Sequence, residues 1–165
     1  MLVVLIIGLI AALAVPTFVN TMRGQRLDSA AHTVAMACQQ ARYEAVFEAR
    51  TCWYVVDIDK QEVRLMQEPA TTNLVFAYED IAAETNIIES TTAQVKGVTQ
   101  MPVGVMITGV QIQDGTEQKN GVIGFPFYNN GVCEPFRVFL QGENEEVRAL
   151  DVDMFTGKAT VFTPL

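Results

Sequence analysis

The sequence predicts an α+β chain in which a long N-terminal helix packs on an antiparallel, β-rich C-terminal domain. Two observations support this fold class. Apolar residues recur at spacings of three and four along the first 50 residues, as on one side of a helix. Further on, they alternate at a spacing of two, between short stretches rich in Gly, Asn and Asp that are typical of turns. The 165 residues are enough to bury a core.

The chain opens with an apolar stretch, residues 1–15, that contains no charged or polar side chain. As a helix it would measure about 22 Å, short of the roughly 30 Å hydrocarbon core of a membrane. Three interpretations are open: a signal peptide with a small-residue site at Ala12-Leu13-Ala14, a buried core helix, or a membrane helix whose first residues lie upstream. The residues of the predicted membrane or filament-core helix are Met1, Leu2, Val3, Val4, Leu5, Ile6, Ile7, Gly8, Leu9, Ile10, Ala11, Ala12, Leu13, Ala14, Val15 and Pro16.

The helical pattern continues beyond Pro16 to about Arg50 as a single apolar side. The chain is therefore divided into a membrane or filament-core half of the helix (1–23), an amphipathic half (24–50) and a β-rich domain (51–165). The residues of the apolar side are Phe18, Met22, Leu27, Ala30, Ala31, Val34, Ala37, Cys38, Ala41 and Ala45.

The β-rich domain begins with "TCWYVVDID" and "EVRLM", which predict a hairpin. Its predicted buried face includes the alternate residues Cys52, Tyr54, Val56 and Ile58. Further strands are predicted over 103–112, 121–127, 136–140, 147–154 and 159–162. Segment 68–102 has no clear period, and we expect an irregular excursion there with a short strand at 74–78 and a helical turn at 80–83.

Charge and side-chain chemistry exclude several classes of function. The net charge is −8, and residues 51–165 carry −9 of it against +1 in the first 50, which argues against binding to nucleic acid. The single histidine, His32, has no partner suited to catalysis or zinc. The acidic pairs Asp57/Asp59 and Asp151/Asp153 would need further oxygen ligands to bind calcium. We therefore predict no catalytic residue, metal, cofactor or small-molecule substrate.

The stretch "VVLIIGLIAALAVPTF" resembles the N-terminal helix of type IV pilins and of the pseudopilins of type II secretion. Gly8, Ala11, Ala12 and Pro16 stand in the register of that superfamily. The resemblance implies a basic leader, a cleavage and methylation site and a glutamate, all upstream of Met1. About six more residues would bring the apolar span to the roughly 20 that a bilayer requires.

The stretch "QQARYEAVFEARTCWYVVDID" resembles the H-type minor pseudopilins and related minor type IV pilins. The order of several residues in the tail matches as well: Ile123, Phe125, Gly131, Val138, Leu140 and Gly157. The resemblance implies a structural filament subunit that is not an enzyme. It implies a single-pass inner-membrane protein with a periplasmic C-terminal domain, whose partners are other pseudopilins. The alternative is a minor pilin of a type IV pilus, in pilus assembly or DNA uptake, for which a basic patch would be expected.

The three cysteines lack the spacing of a zinc site or a redox motif. In a periplasmic domain, as the resemblance implies, Cys52 and Cys133 at strand ends could form a disulfide. Cys38 lies on the apolar side of the helix and is expected to pack as a small hydrophobic residue. The other possibility is three reduced thiols.

Overall fold

The computed structural model describes the backbone of residues 2–67 and 94–164, and the side chains of residues 24–67 and 94–164. Helix α1 runs over Leu2–Phe47, so it measures about 69 Å at 1.5 Å per residue. It ends in a Schellman motif: Arg50 N–H donates to Ala45 O (3.1 Å) and Ala49 N–H to Val46 O (3.4 Å). Ala49 has a φ of 53°, in the left-handed region where this motif usually places glycine.

The strands of the described residues form two antiparallel sheets. The first has four strands in the order β3-β2-β1-β6, which are β1 (Cys52–Asp57), β2 (Glu62–Gln67), β3 (Gln94–Gln100) and β6 (Val122–Phe127). The second has five strands in the order β5-β4-β7-β8-β9, which are β4 (Val105–Ile112), β5 (Glu117–Gln118), β7 (Phe136–Gly142), β8 (Val147–Val152) and β9 (Ala159–Phe162).

Most of the predicted strands are present, and the first hairpin has the predicted face inward. Tyr54 pairs with Leu65 and Val56 with Val63, and all four are buried. The irregular excursion predicted over 68–102 is wrong for its last part, where β3 lies. Gly97 and a register shift opposite Leu65/Met66 break the period of two, so this strand leaves no alternating signal. The predicted strand at 74–78 and turn at 80–83 lie outside the described residues.

The core lies between the helix and the inner faces of both sheets. Leu27 is the first helix residue of the core whose side chain is described, and Ala45 is the last. Tyr54 lies between two rings, with centroids 5.5 Å from Phe136 and 6.5 Å from Phe127. Phe125 of the first sheet stacks on Phe136 of the second at 3.9 Å. Aromatic packing therefore joins the two sheets beneath the helix.

Candidate assembly surface

One side of the helix carries large apolar side chains that the core of the domain does not use. Met36, Tyr43 and Phe47 are 69%, 62% and 73% exposed. At about 100° per residue, they point away from the side that enters the core at Leu27 and Ala41. We call these three residues the apolar stripe. Large apolar groups held in water on a rigid helix are typical of a surface that packs against another protein.

The C-terminal end of the apolar stripe is an ordered aromatic pair. Tyr43 and Phe47, four residues apart, stack with ring centroids at 5.5 Å and an angle of 11° between the rings. Stacking at this spacing holds both rings in one orientation before a partner arrives. Such pre-ordered aromatic groups contribute strongly to protein–protein contacts, because little side-chain entropy is lost on binding.

Polar contacts at both ends of the domain's helical segment hold the apolar stripe away from the sheets. Near its start, Arg148 Nε donates to Asp28 Oδ1 at 2.7 Å. Near its end, Glu48 accepts from Lys96 Nζ at 2.8 Å and from Gln67 Nε2 at 2.6 Å. Both hydrogen bonds lower the pKa of Glu48, with the larger effect from Lys96. The helix is therefore fixed in rotation as well as in position.

The predicted membrane or filament-core segment, residues 1–16, belongs to the same continuous helix from Leu2 onward. Its side chains lie outside the described part of the chain. Among the residues with described side chains, no helical stretch is both long and apolar enough to cross a membrane. The membrane segment thus stays a prediction from the sequence.

The residues considered for catalysis or metal binding are separated in the structure. His32 is exposed on the helix, and residues 24–67 and 94–164 contain no group of His, Cys, Asp and Glu arranged to bind a metal. Each carboxylate of the two acidic pairs has a partner of its own: Asp57 with Arg64, Asp59 with the Gly121 N–H, Asp151 with Arg137, and Asp153 with Thr156. The hydrogen bonds from Thr156 also lower the pKa of Asp153.

The structure has all three cysteines as buried, free thiols, so it does not contain the Cys52–Cys133 disulfide considered above. Cys52 pairs with Phe127 on the neighbouring strand, and Phe127 pairs with Cys133 on its other side. Two strand spacings place the Cα atoms about 10 Å apart, whereas a disulfide requires less than about 7 Å. Cys38 packs in the core, as predicted.

The pattern in the sequence did not single out the apolar stripe. From Leu27 onward, where side chains are described, the apolar side predicted for the helix contains only residues that enter the core, and Met36, Tyr43 and Phe47 lie outside it. A signal was nevertheless present, since the three residues follow spacings of seven and four on the side that was assumed to face water.

A long N-terminal helix packed on antiparallel sheets is the type IV pilin-like fold, and the predicted α+β fold class is confirmed. The chain is similar to two structures of the minor pseudopilin EpsH from the type II secretion system of Vibrio cholerae. The TM-scores are 0.59 and 0.56, each at 12% identity, covering 86% and 84% of this chain and 96% and 98% of those chains.

It is also similar to the type IV minor pilin FimU of Pseudomonas aeruginosa, with a TM-score of 0.50 at 13% identity over 82% of this chain and 92% of that one. No protein-family model matches the sequence, and no curated protein sequence matches it either. At these identities the likeness establishes the fold.

Proposed function

We propose that this chain is a structural minor pseudopilin of a type II secretion pseudopilus. Its N-terminal helix anchors it in the inner membrane and packs in the filament, and its C-terminal domain lies in the periplasm. Its partners are the other pseudopilins of the filament, and it helps drive the export of folded proteins across the outer membrane. In this role it has no catalytic activity, cofactor, small-molecule substrate or nucleic-acid ligand.

One observation carries the proposal: the helix has an exposed apolar stripe, in a chain whose fold is similar to that of EpsH. A filament subunit requires a helix surface that its own domain leaves free, and the stripe is such a surface. The second candidate function is that of a minor pilin in a type IV pilus. The likeness to FimU favours it, while the acidic charge of the β-rich domain argues against DNA as its ligand.

The test is capture of partners from the source cell. The full chain, tagged at its C-terminus, is extracted from membranes in mild detergent, and the co-purifying proteins are identified by mass spectrometry. Other pseudopilins are expected. Pilins of a type IV pilus in their place would favour the second candidate, and an absence of both would contradict the two proposals.

Two variants connect the result to the apolar stripe. Replacing Tyr43 and Phe47 with Glu should reduce capture about tenfold, because charges would enter an apolar contact. Phe155→Glu is the matched control, since Phe155 is 71% exposed but lies outside the helix, and its capture should be unchanged. Equal losses in the two variants would show that the stripe has no special part in assembly.

A further inference from the structure

A groove lies beside the helix near the start of the described core. Its helix wall is formed by Arg26, Ser29 and Thr33, and the facing wall by residues 99–102 at the end of β3 and just beyond it. Its volume is about 280 Å³, which is enough to accept one side chain of another protein. Arg26 is exposed and makes no ion pair with any residue that the structure describes. The groove therefore has an available cation at its edge, whereas the Thr33 hydroxyl donates to Ser29 O within the helix (2.8 Å).

The hairpin between β7 and β8 presents the opposite charge. Its tip has the sequence Glu143-Asn144-Glu145-Glu146 and is exposed. Backbone bonds close it tightly, from Gly142 N–H to Glu146 O (2.9 Å) and from Glu145 N–H to Gly142 O (3.1 Å). Glu145 has a φ of 61° at the tip and forms no ion pair within the described part of the chain. The backbone bonds thus hold the Glu145 carboxylate at a fixed position on the tip of the hairpin, where it is available to a partner.

Groove and hairpin lie at the same level of the helix but on opposite flanks. The hairpin touches the helix at Gly24 and Asp28, through Glu146 and Arg148. Arg26 is two residues after Gly24, a rotation of about 200° around the helix axis. The hairpin therefore cannot reach the groove of its own chain. A contact between two different patches of identical chains is heterologous, and repetition of such a contact builds a ring or a filament.

We propose that the groove receives the Glu145 side chain from the acidic hairpin of a second copy of this chain, with its carboxylate on the Arg26 guanidinium. This inference rests on the proposed function as a filament subunit, and it names one lateral contact within the filament. Arg and carboxylate groups form two parallel, charge-assisted hydrogen bonds, and this geometry would fix the orientation of the hairpin on the helix. Copies would then stack side by side along the flanks of their helices.

The test uses the full chain carrying two different tags, co-expressed and extracted from membranes at low salt. Capture through one tag is expected to retain the copy with the other tag. Arg26→Glu and Glu145→Lys should each reduce this self-capture about tenfold, because like charges then face each other. The double variant R26E/E145K restores the attraction with reversed signs and should recover self-capture. Lys119→Glu, an equal change of charge at an exposed site, is the matched control.

The inference is overturned if the unsubstituted chain retains no second copy, if Arg26→Glu leaves self-capture unchanged, or if the double variant fails to recover it. Other pseudopilins are quantified in the same samples. Their retention without self-capture would refute this contact while leaving the proposed function intact. Loss of both from the unsubstituted chain would contradict the proposed function itself.

Discussion

Gly157 has a positive φ of 56° at a point where the loop before β9 crosses the helix. A Cβ at this position would lie 2.8 Å from Arg42 Cδ and 3.3 Å from Gly131 O. We expect Gly157→Ala to lower the free energy of unfolding by about 2–4 kcal/mol, from backbone strain and overpacking together. Urea unfolding of residues 24–165, which contain the whole described core, would measure this loss.

The matched control for Gly157 is Gly115, which has a φ of 87° but whose surroundings are open, since a Cβ added there would meet no heavy atom within 4 Å. Gly115→Ala should cost only the backbone term, about 1–2 kcal/mol. If both substitutions cost the same, the contact between Gly157 and Arg42 has no energetic importance.

At the scale of the element, the C-terminal end of the helix is a place where a substitution should stabilise the protein. Ala49 occupies the left-handed position of the Schellman motif, which glycine adopts without strain. Ala49→Gly should therefore raise the free energy of unfolding by about 1 kcal/mol. The same measurement on Gln39→Gly, at an exposed site within the helix, should show a loss of about 1 kcal/mol. A loss at both positions would mean that Ala49 is not strained.

The contact between the end of the helix and the first sheet should depend on pH. Hydrogen bonds from Lys96 and Gln67 hold the pKa of Glu48 below its ordinary value of 4.5. A lowered pKa in the folded state stabilises the protein above pH 4.5, and this contribution is lost as the pH falls through the folded value. Glu48→Gln should therefore be less stable than the unsubstituted protein at pH 6, with the difference shrinking toward pH 3.

Lys96 supplies the complementary test of the same contact. Its hydrogen bond to Glu48 raises the pKa of Lys96 above 10.5, so its contribution is present below that pH and is lost as the pH rises through the folded value. In a Lys96→Met background, the effect of Glu48→Gln at pH 6 should become smaller, as a double-mutant cycle would measure. An unchanged effect would show that the two side chains do not interact.

At the scale of the whole molecule, the cysteines report on global unfolding. Burial raises the pKa of Cys52 to about 12 and that of Cys133 to about 11, and it raises the pKa of Cys38 well above the ordinary range. Buried thiols of this kind are unreactive. A maleimide at pH 7.5 should therefore label none of the three in the native protein and all three in urea, as counted by mass.

The control for accessibility is Ser29→Cys, whose added thiol on the exposed helix surface should react within the native protein. Protein prepared under oxidising conditions should give the same three labels in urea. One label in place of three would reveal a disulfide between two of the cysteines, and a labelled Cys38, located by peptide mapping, would restore the Cys52–Cys133 prediction.

The parts of the fold that the sequence predicted are those with a regular spacing of apolar residues within one element. The helix side from Leu27 to Ala45 and the buried face of the first hairpin follow directly from spacings within one element. The sequence pattern did not predict strand β3, because Gly97 and the register shift beside it interrupt the alternation of apolar residues. The apolar stripe was not predicted either. An apolar residue on the side presumed to face water, such as Tyr43, does not change the helical spacing of the residues that form the core side.

The sequence by itself determined the helix and seven of the nine described strands, all but β3 and β5, since apolar spacing, turn residues and backbone preference act over only a few positions. Tertiary structure alone decided that the strands divide into two sheets, that Phe127 separates Cys52 from Cys133, and that Arg26 and Glu145 lie on opposite flanks of the helix. These relations depend on which strands pair across 60 or more residues, as β1 and β6 do. Such pairings are chosen by the packing of the complete core, which no local stretch contains.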